Sequence, residues 1–240
     1  MTDRRAGHDR RRRPSRATVI VVAVLIVVAV GGATAIAYFT PLMSVRNVDV
    51  VGTRVVDRND VIATAQAPTG TPLLQVDTGA IADRVAAIPA VEQVTVERSY
   101  PSTLTIDVTE RTPLVTVDHD GQIGVMDRLG VVYERFDDRK SLPADAAALP
   151  ALVTDRPGTG DPTTMAVLTV AQDLPGWLRE RTVSIEASSP ADITLALKSG
   201  RRAVWGDAER TADKAEALRE VLKVKADEFN VSSPEFPAVK

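Results

Sequence analysis

An uncharged apolar stretch near the start of the chain limits what this sequence can fold into more than any other feature. Residues 17–39 contain no Asp, Glu, Lys or Arg, and residues 19–30 are entirely aliphatic. A helix of this length covers roughly 34 Å at about 1.5 Å per residue, slightly more than the ~30 Å hydrocarbon core of a bilayer. The stretch therefore predicts a single transmembrane helix over residues 17–39.

The basic residues around this stretch predict its orientation. Positively charged side chains cluster before it, whereas Arg46 is the only basic residue soon after it. The positive-inside rule then makes residues 1–16 a cytoplasmic, arginine-rich tail beside the lipid of the inner membrane and places the remainder outside the cytoplasm. The predicted topology determinants are Arg10, Arg11, Arg12, Arg13 and Arg16.

A cleaved signal peptide is the alternative reading of the same stretch. It has a basic start, an apolar core and small-residue sites such as Ala33-Thr34-Ala35. The apolar run continues past that site to Phe39, and a secretory core normally stops sooner. The membrane helix is therefore preferred.

Charge and composition exclude several classes of function. Residues 1–16 hold seven arginines and two aspartates, so the remaining chain carries 22 basic and 30 acidic residues. An acidic region with few aromatic rings argues against a nucleic-acid surface, which needs clustered Lys and Arg and stacking side chains. The absence of cysteine excludes disulfides, thiolate metal sites and a cysteine nucleophile.

Residues 44–111 predict a small α+β module in the order strand, helix, helix, strand, strand. A weakly alternating strand ends at Gly52, and a helix capped by Asp57 follows it. Residues 73–76 are predicted to be extended, and a second helix runs from Asp77 to Pro89. Two alternating runs then flank residues 99–102, which is typical of a strand, a turn and a strand with one face buried.

Residues 112–240 predict a β-rich, antiparallel domain. Short strands with frequent turns reach Tyr133, and a wrapped loop is expected over residues 137–162, anchored by Leu149, Leu152 and Val153. A helix follows Asp161, three further strands lie between residues 182 and 205, and a helix spans residues 211–228. The chain closes with one more strand from Phe229.

No constellation of residues in the sequence predicts catalysis. Asp118, Asp120 and Asp127 fall near hairpin turns, where aspartate bonds to nearby backbone, and their spacing does not match known calcium loops. No nucleophile and base, carboxylate pair or phosphate loop is evident. We therefore expect no enzyme activity, no cofactor, no metal and no small-molecule substrate.

A series of short motifs is spread along the chain. They are VDVVG at 48–52, GTPLLQVD at 70–77, IPAV at 88–91, VERSYPSTL at 96–104, VTERTP at 108–113, MDRLGVV at 126–132 and LPAL at 149–152. Each motif alone is weak, but together they resemble the FtsQ/DivIB family of bacterial cell-division proteins, in particular its actinobacterial members, and the match covers nearly the whole chain.

This resemblance implies a POTRA domain at residues 44–111 and an FtsQ-type β-rich domain at residues 112–240. It further implies a non-enzymatic scaffold of the divisome, a single-pass protein of the cell membrane concentrated at the division septum. The expected partners are small coiled-coil proteins of the FtsB and FtsL type, and through them the septal cell-wall synthase complex.

The family's partner contact uses its final strand region, which corresponds best here to residues 229–239 and the preceding helix. The candidate partner-binding residues are Leu222, Phe229, Asn230, Val231, Ser232 and Ser233. Pro234 and Pro237 interrupt what would be a continuous edge strand, because proline has no N–H to donate to a ladder. Charged replacements of Phe229 and Val231 are predicted to abolish partner binding and to leave the fold intact.

Three other functions fit the architecture less well. A POTRA-bearing export or assembly component usually carries several such modules and a barrel, and this chain has one module. An anchored cell-wall enzyme needs a catalytic set that the sequence does not offer. A sensor that binds a wall fragment stays open until binding is measured.

Overall fold

The computed structural model describes residues 16–39, 43–119 and 121–240. Contacts within the chain define two compact units. Residues up to Ala86 and Gln93–Val108 form the first unit, whereas Ala87–Glu92 and Thr109–Lys240 form the second. The described chain contains one sheet of three strands and one of nine.

The first helix, α1, comprises Arg16–Phe39. Its side chains at positions 33 and 35–39 are not described, and described apolar ones such as Val27 are exposed. Within the part of the chain that the structure covers, no helix has both the length and the apolar character that a bilayer crossing requires. The transmembrane helix at residues 17–39 therefore stays a prediction. Arg16 opens α1 and is exposed, whereas the predicted determinants at positions 10–13 lie outside the described residues.

The first unit has the predicted order of elements. These are β1 (Asn47–Val51), α2 (Arg58–Ala65), α3 (Thr78–Ala86), β2 (Val91–Ser99) and β3 (Thr103–Glu110). The strand order is β1-β3-β2, with β1 parallel to β3. Leu104 and Ile106 of β3 are fully buried, as are Val61 of α2 and Val85 of α3. The buried positions lie four residues apart in each helix, at Val61 and Ala65 in α2 and at Ile81 and Val85 in α3, so each helix buries one face.

Local hydrogen bonds explain where the two helices begin and where one prediction fails. Asp57 Oδ1 accepts from Asn59 N at 2.7 Å, and Asp77 Oδ1 accepts from Ala80 N at 3.0 Å, so both predicted caps are confirmed. The extended segment predicted at residues 73–76 is wrong. Leu73–Gln75 form a 3-10 turn, because Gln75 N donates to Pro72 O at 2.9 Å.

The second unit is built on the nine-stranded sheet. Its strands are β4 (Pro113–His119), β5 (Gln122–Asp127), β6 (Val132–Phe136), β7 (Ala151–Val153), β8 (Thr182–Ser189), β9 (Asp192–Leu197), β10 (Arg202–Gly206), β11 (Glu228–Asn230) and β12 (Ala238–Val239). Its helices are α4 (Ala144–Ala147), α5 (Pro162–Asp173), α6 (Gly176–Arg179) and α7 (Thr211–Val221). The strand order is β12-β11-β10-β9-β8-β7-β4-β5-β6.

The sheet is mixed, and the prediction of an antiparallel domain is wrong in this respect. Strand β7 is parallel to both β4 and β8, and β10 is parallel to β11. Hairpins join β4 to β5, β5 to β6, β8 to β9 and β9 to β10 in the antiparallel sense. Each parallel pair joins segments separated by a helix, since parallel strands need a crossover connection.

The loop predicted over residues 137–162 contains strand β7, which joins the two halves of the sheet. Leu152 pairs with Val117 on one side and with Ile185 on the other. Leu152 is buried as predicted, but Val153 is half exposed and does not anchor the segment. Successive side chains of a strand point to opposite faces, so neighbouring Leu152 and Val153 cannot both face the core.

Helices α5 and α7 contribute to the core of the second unit. Val167 and Leu168 of α5 and Leu218 of α7 are buried with Trp205 of β10. The predicted helix over residues 211–228 is too long. It ends at Val221, and Val224 N then donates to Val221 O at 2.9 Å in a tighter turn before the chain enters β11.

Candidate partner-binding edge

Strands β11 and β12 form one end of the nine-stranded sheet. Val204 of β10 pairs with Asn230 of β11, and on the other side of β11 Asn230 pairs with Ala238 of β12. The prolines at 234 and 237 lie in the return between β11 and β12, so the chain folds back instead of continuing as one strand. Strand β12, and not β11, is therefore the edge strand.

The hydrogen-bond pattern shows which backbone groups face away from β11. Lys240 N donates to Glu228 O at 2.9 Å, and Glu228 N donates to Lys240 O at 3.1 Å. Along an antiparallel ladder, residues whose N–H and C=O both bond to the neighbouring strand alternate with residues whose N–H and C=O point away from it. The N–H and C=O of Val239 accordingly point outward, and so does the C=O of Pro237. This outer edge is the only part of β12 that an added strand can pair with.

Two of the predicted partner-binding residues are core residues. Phe229 and Val231 are fully buried in the second unit, and Val231 N donates to Val204 O at 2.9 Å. Their side chains have no surface to offer a partner. The burial of both side chains argues against the prediction that charged replacements at these positions leave the fold intact, because an unpaired charge would have to enter the core.

The other predicted residues are accessible but do not lie together. Ser232 is exposed, and its N and Oγ both bond to Asn230 Oδ1, at 3.0 and 2.7 Å. Ser233 is exposed beside it. Leu222 is half-buried at the far end of α7, where its carbonyl accepts from Arg201. The structure thus groups Asn230, Ser232 and Ser233 and separates Leu222 from them.

Two exposed apolar side chains lie at this edge, and neither was among the candidate partner-binding residues. Phe236 is 85% exposed in the return, and Val239 is 44% exposed on β12. Exposed apolar side chains on a sheet edge are a recurring feature of partner sites. The sequence signal is the pair Pro234 and Pro237, because proline favours turns and has no N–H for a ladder, so that the residues between them leave the strand.

An exposed ion pair links the return between β11 and β12 to the start of α7. Glu235 Oε1 lies 2.5 Å from Arg210 Nη2, and Arg210 Nε lies 3.0 Å from Asp213 Oδ2. The hydrogen bond from Arg210 holds the pKa of Glu235 below its ordinary value. The hydrogen bonds that Arg210 donates to Glu235 and Asp213 raise the pKa of Arg210. The segment that carries Phe236 is therefore tethered to the start of α7.

The aspartates near the hairpin turns do not converge. Asp118 Oδ1 accepts from Gly121 N at 3.3 Å, and Asp127 is buried against Arg111. Asp120 lies outside the described residues. Across residues 16–39, 43–119 and 121–240, no group of three or more potential ligands is placed to hold a metal ion.

Comparison with known proteins shows what this chain is similar to. The family model described as POTRA domain, FtsQ-type, matches residues 43–111. Cell division protein FtsQ of Mycolicibacterium smegmatis is 44% identical over 203 residues, covering 85% of this chain and 59% of that protein. Cell division protein FtsQ of Streptomyces venezuelae is 34% identical over 234 residues, covering 95% of this chain and 85% of that protein.

A solved structure is also similar. It is the major extracytoplasmic domain of the trans isomer of the cell division protein DivIB from Geobacillus stearothermophilus, with 18% identity and a TM-score of 0.34. The match covers 49% of this chain and 99% of that one. The chain spans about three fifths of the length of the mycolicibacterial relative and most of the length of the streptomycete one.

Proposed function

Because the chain belongs to the FtsQ family of cell-division proteins, we propose that it is a non-enzymatic scaffold of the divisome. The observation that carries this proposal is the identity of 34% over 234 residues with a relative of which the chain covers 85%. The family resemblance drawn from the motifs is thereby confirmed. The scaffold would bind FtsB- and FtsL-type coiled-coil proteins and so support septal cell-wall synthesis.

The proposal includes a membrane anchor. Residues 17–39 would cross the inner membrane once, with residues 1–16 in the cytoplasm and both folded units outside it, concentrated at the septum. Support comes from the uncharged stretch and from the arginines before it. The predicted POTRA domain at residues 44–111 would comprise most of the first unit together with residues 87–92 and 109–111 of the second, and the predicted FtsQ-type domain at residues 112–240 would comprise the rest of the second unit.

The partner would add a strand to the outer edge of β12. Val239 offers an outward N–H and C=O, whereas Pro237 offers only a C=O, so the pairing is confined to a short segment. Phe236 and Val239 supply apolar contact area that the added strand would cover. Side chains of Asn230, Ser232 and Ser233 would border the contact, and Phe229 and Val231 would support it from the core.

The binding test compares two double variants of the full chain. Phe236→Glu with Val239→Glu places charges on the proposed edge. Val153→Glu with Val183→Glu is the matched control, because these strand residues of the same unit are 51% and 44% exposed. The measurement is co-purification with the FtsB- and FtsL-type proteins of the host. Loss of co-purification in the Phe236 and Val239 variant alone supports binding at the outer edge of β12. Equal co-purification of both variants would place the contact elsewhere.

The cellular test separates a division role from the alternatives. A fluorescent N-terminal fusion is followed in dividing host cells while the native protein is depleted. Midcell signal and undivided filaments or branches on depletion support the scaffold. Uniform membrane signal with normal septation would refute it and leave an export component or an anchored sensor.

A further inference from the structure

A basic groove lies in the second unit at the end of the sheet where β9 ends and β10 begins. It encloses about 680 Å³ between the end of α7, the β9–β10 turn and the segment from α6 to β8. Five cations line it, namely Arg181, Lys198, Arg201, Arg219 and Lys223, and among the residues that the structure describes no carboxylate does. Residues 17–240 carry more acidic than basic side chains, so this concentration of cations opposes the average charge of the region.

Two guanidinium groups are held on one indole ring. Arg181 Cζ lies 5.6 Å from the centroid of the Trp177 ring, and Arg219 Cζ lies 4.9 Å from it. Arg181 Nη1 also donates to Trp177 O at 3.0 Å. Cation–π contacts of this kind favour these positions of the two charges in the absence of a ligand.

Arg201 is fixed in a different way on the opposite side of the groove. Its Nη1 donates to Leu222 O at 3.1 Å and its Nε donates to Ser199 Oγ at 3.0 Å. Its Cζ lies 5.5 Å from the centroid of the buried Phe229 ring. The guanidinium is thus positioned by neutral groups, which leaves its charge uncompensated.

Carboxylates neutralise only some of the positive charges that line the groove. Arg219 pairs with Glu216 at 3.2 Å and Lys223 with Glu220 at 2.6 Å, and both pairs are well exposed. Exposed pairs of this type contribute little stability and are readily exchanged for another anion. Arg181, Lys198 and Arg201 have no carboxylate within salt-bridge distance among the described residues. Three cations are therefore available to a ligand.

The groove also has an apolar component. Trp177 and Leu222 are half-buried, and Leu197 is buried between them and the core. A lone phosphate or a headgroup would satisfy the cations and leave this apolar surface in water. A ligand that carries both carboxylates and an aliphatic or aromatic side chain matches both components, as in the recognition of acidic motifs by arginine clusters.

We propose that this groove binds a short acidic peptide segment of a partner protein. Carboxylates of the segment pair with Arg181, Lys198 and Arg201, and an apolar side chain between them covers Trp177 and Leu222. Neither Phe236 nor Val239 lines the groove, which lies at the opposite end of α7 from the Arg210–Glu235 pair. It is a second site, and it stands whether or not β12 pairs with a partner.

The test uses the full chain in detergent and a fluorescein-labelled decapeptide of alternating Glu and Leu. Binding is followed by fluorescence anisotropy, with two control peptides in which Gln replaces Glu or Ser replaces Leu. We expect each control peptide to bind at least tenfold more weakly than the Glu-Leu peptide. Equal binding of the Gln-Leu peptide would overturn the proposal, because the cations would then play no part.

Matched variants locate the binding on the chain. Arg181→Gln with Lys198→Gln removes two exposed groove cations, and Arg135→Gln with Lys140→Gln removes two exposed cations on and beyond β6. Thermal melting of each variant establishes that it is folded. We expect at least a tenfold loss of peptide affinity in the first variant only. Equal affinity of the two variants would refute the site, and displacement of the peptide by an equal concentration of glycerol phosphate would refute the peptide ligand in favour of a phosphate.

Discussion

Arg111 and Asp127 form a buried ion pair in the second unit, with Arg111 Nη1 2.5 Å from Asp127 Oδ2 and side chains 15% and 0% exposed. The other carboxylate oxygen, Oδ1, accepts from Leu129 N and Val131 N at 2.9 Å each. Arg111 Nε donates to Pro89 O at 3.0 Å. One pair therefore joins the 87–92 segment, the entry to β4 and the β5–β6 turn.

Asp127→Ala is expected to destabilise the second unit by about 3–5 kcal/mol, because it leaves the Arg111 charge buried without its partner and removes two turn bonds. Asp127→Asn keeps an acceptor for the turn and is expected to cost less. The measurement is urea unfolding followed by tryptophan fluorescence, since Trp177 and Trp205 both lie in this unit. A cost below about 1 kcal/mol for the alanine variant would argue against the buried pair.

Gly52→Ala is expected to destabilise the first unit more than Gly70→Ala does. Both glycines have positive φ, +85° and +82°, and share the backbone cost of about 1–3 kcal/mol that a side chain meets there. A Cβ on Gly52 would also lie 2.1 Å from Val108 O, whereas one on Gly70 meets nothing within 4 Å. Thermal melting followed by circular dichroism distinguishes the two, and equal costs would contradict the close approach.

The ion pair between Asp207 and Lys214 is expected to stabilise the folded protein at neutral pH and to lose this effect in acid. Lys214 is 2% exposed, its Nζ lies 2.6 Å from Asp207 Oδ1, and its hydrogen bond holds the pKa of Asp207 below the ordinary value. A carboxyl group whose pKa is lowered by folding stabilises the folded state at pH values above its unfolded pKa of about 3.9. This stabilisation is lost as the pH falls through the pKa of the folded state. The difference in unfolding free energy between the wild type and Asp207→Asn should therefore shrink below about pH 4. A difference that grows on acidification would contradict this sign.

Phe229→Ala is expected to cost about 3–5 kcal/mol through a cavity in the core, and Phe229→Glu is expected to prevent folding of the second unit. Ser233→Ala, on the exposed side of the same segment, should stay within about 0.5 kcal/mol of the wild type. Chemical unfolding of each purified variant measures its free energy of unfolding. A folded Phe229→Glu protein would show that the ring is not a core residue.

The order of elements in the first unit was predictable because local signals carry it. Asp57 and Asp77 cap helices with side-chain bonds made within three residues, and the alternation of β2 and β3 spans a single turn. Pairing between distant segments leaves no such signal. The parallel neighbours of β7 are contributed by residues 116–117 and 184–186, so nothing near Leu152 shows that it belongs to a sheet.

The structural surroundings of the candidate residues could be predicted from the sequence only in part. The family resemblance implies a contact in the last strand region, which stays a prediction, whereas the return that makes β12 the edge depends on two residues, Ala238 and Val239. A strand that short has no periodicity to detect. Phe229 and Phe236 are the same residue type only seven positions apart, yet one is buried and the other is 85% exposed, and only the tertiary fold separates them.

The parallel pairing of β1 with β3 has a consequence for the order of folding. Asn47 pairs with Thr103 and Val51 with Asp107, so α2, α3 and β2 are all synthesised before β1 acquires a neighbour. Loop closure over such a separation is slow relative to helix and hairpin formation. We expect the β2–β3 hairpin to form early on the nascent chain and β1 to dock last, so that the start of the first unit is the final part to become protected from proteolysis.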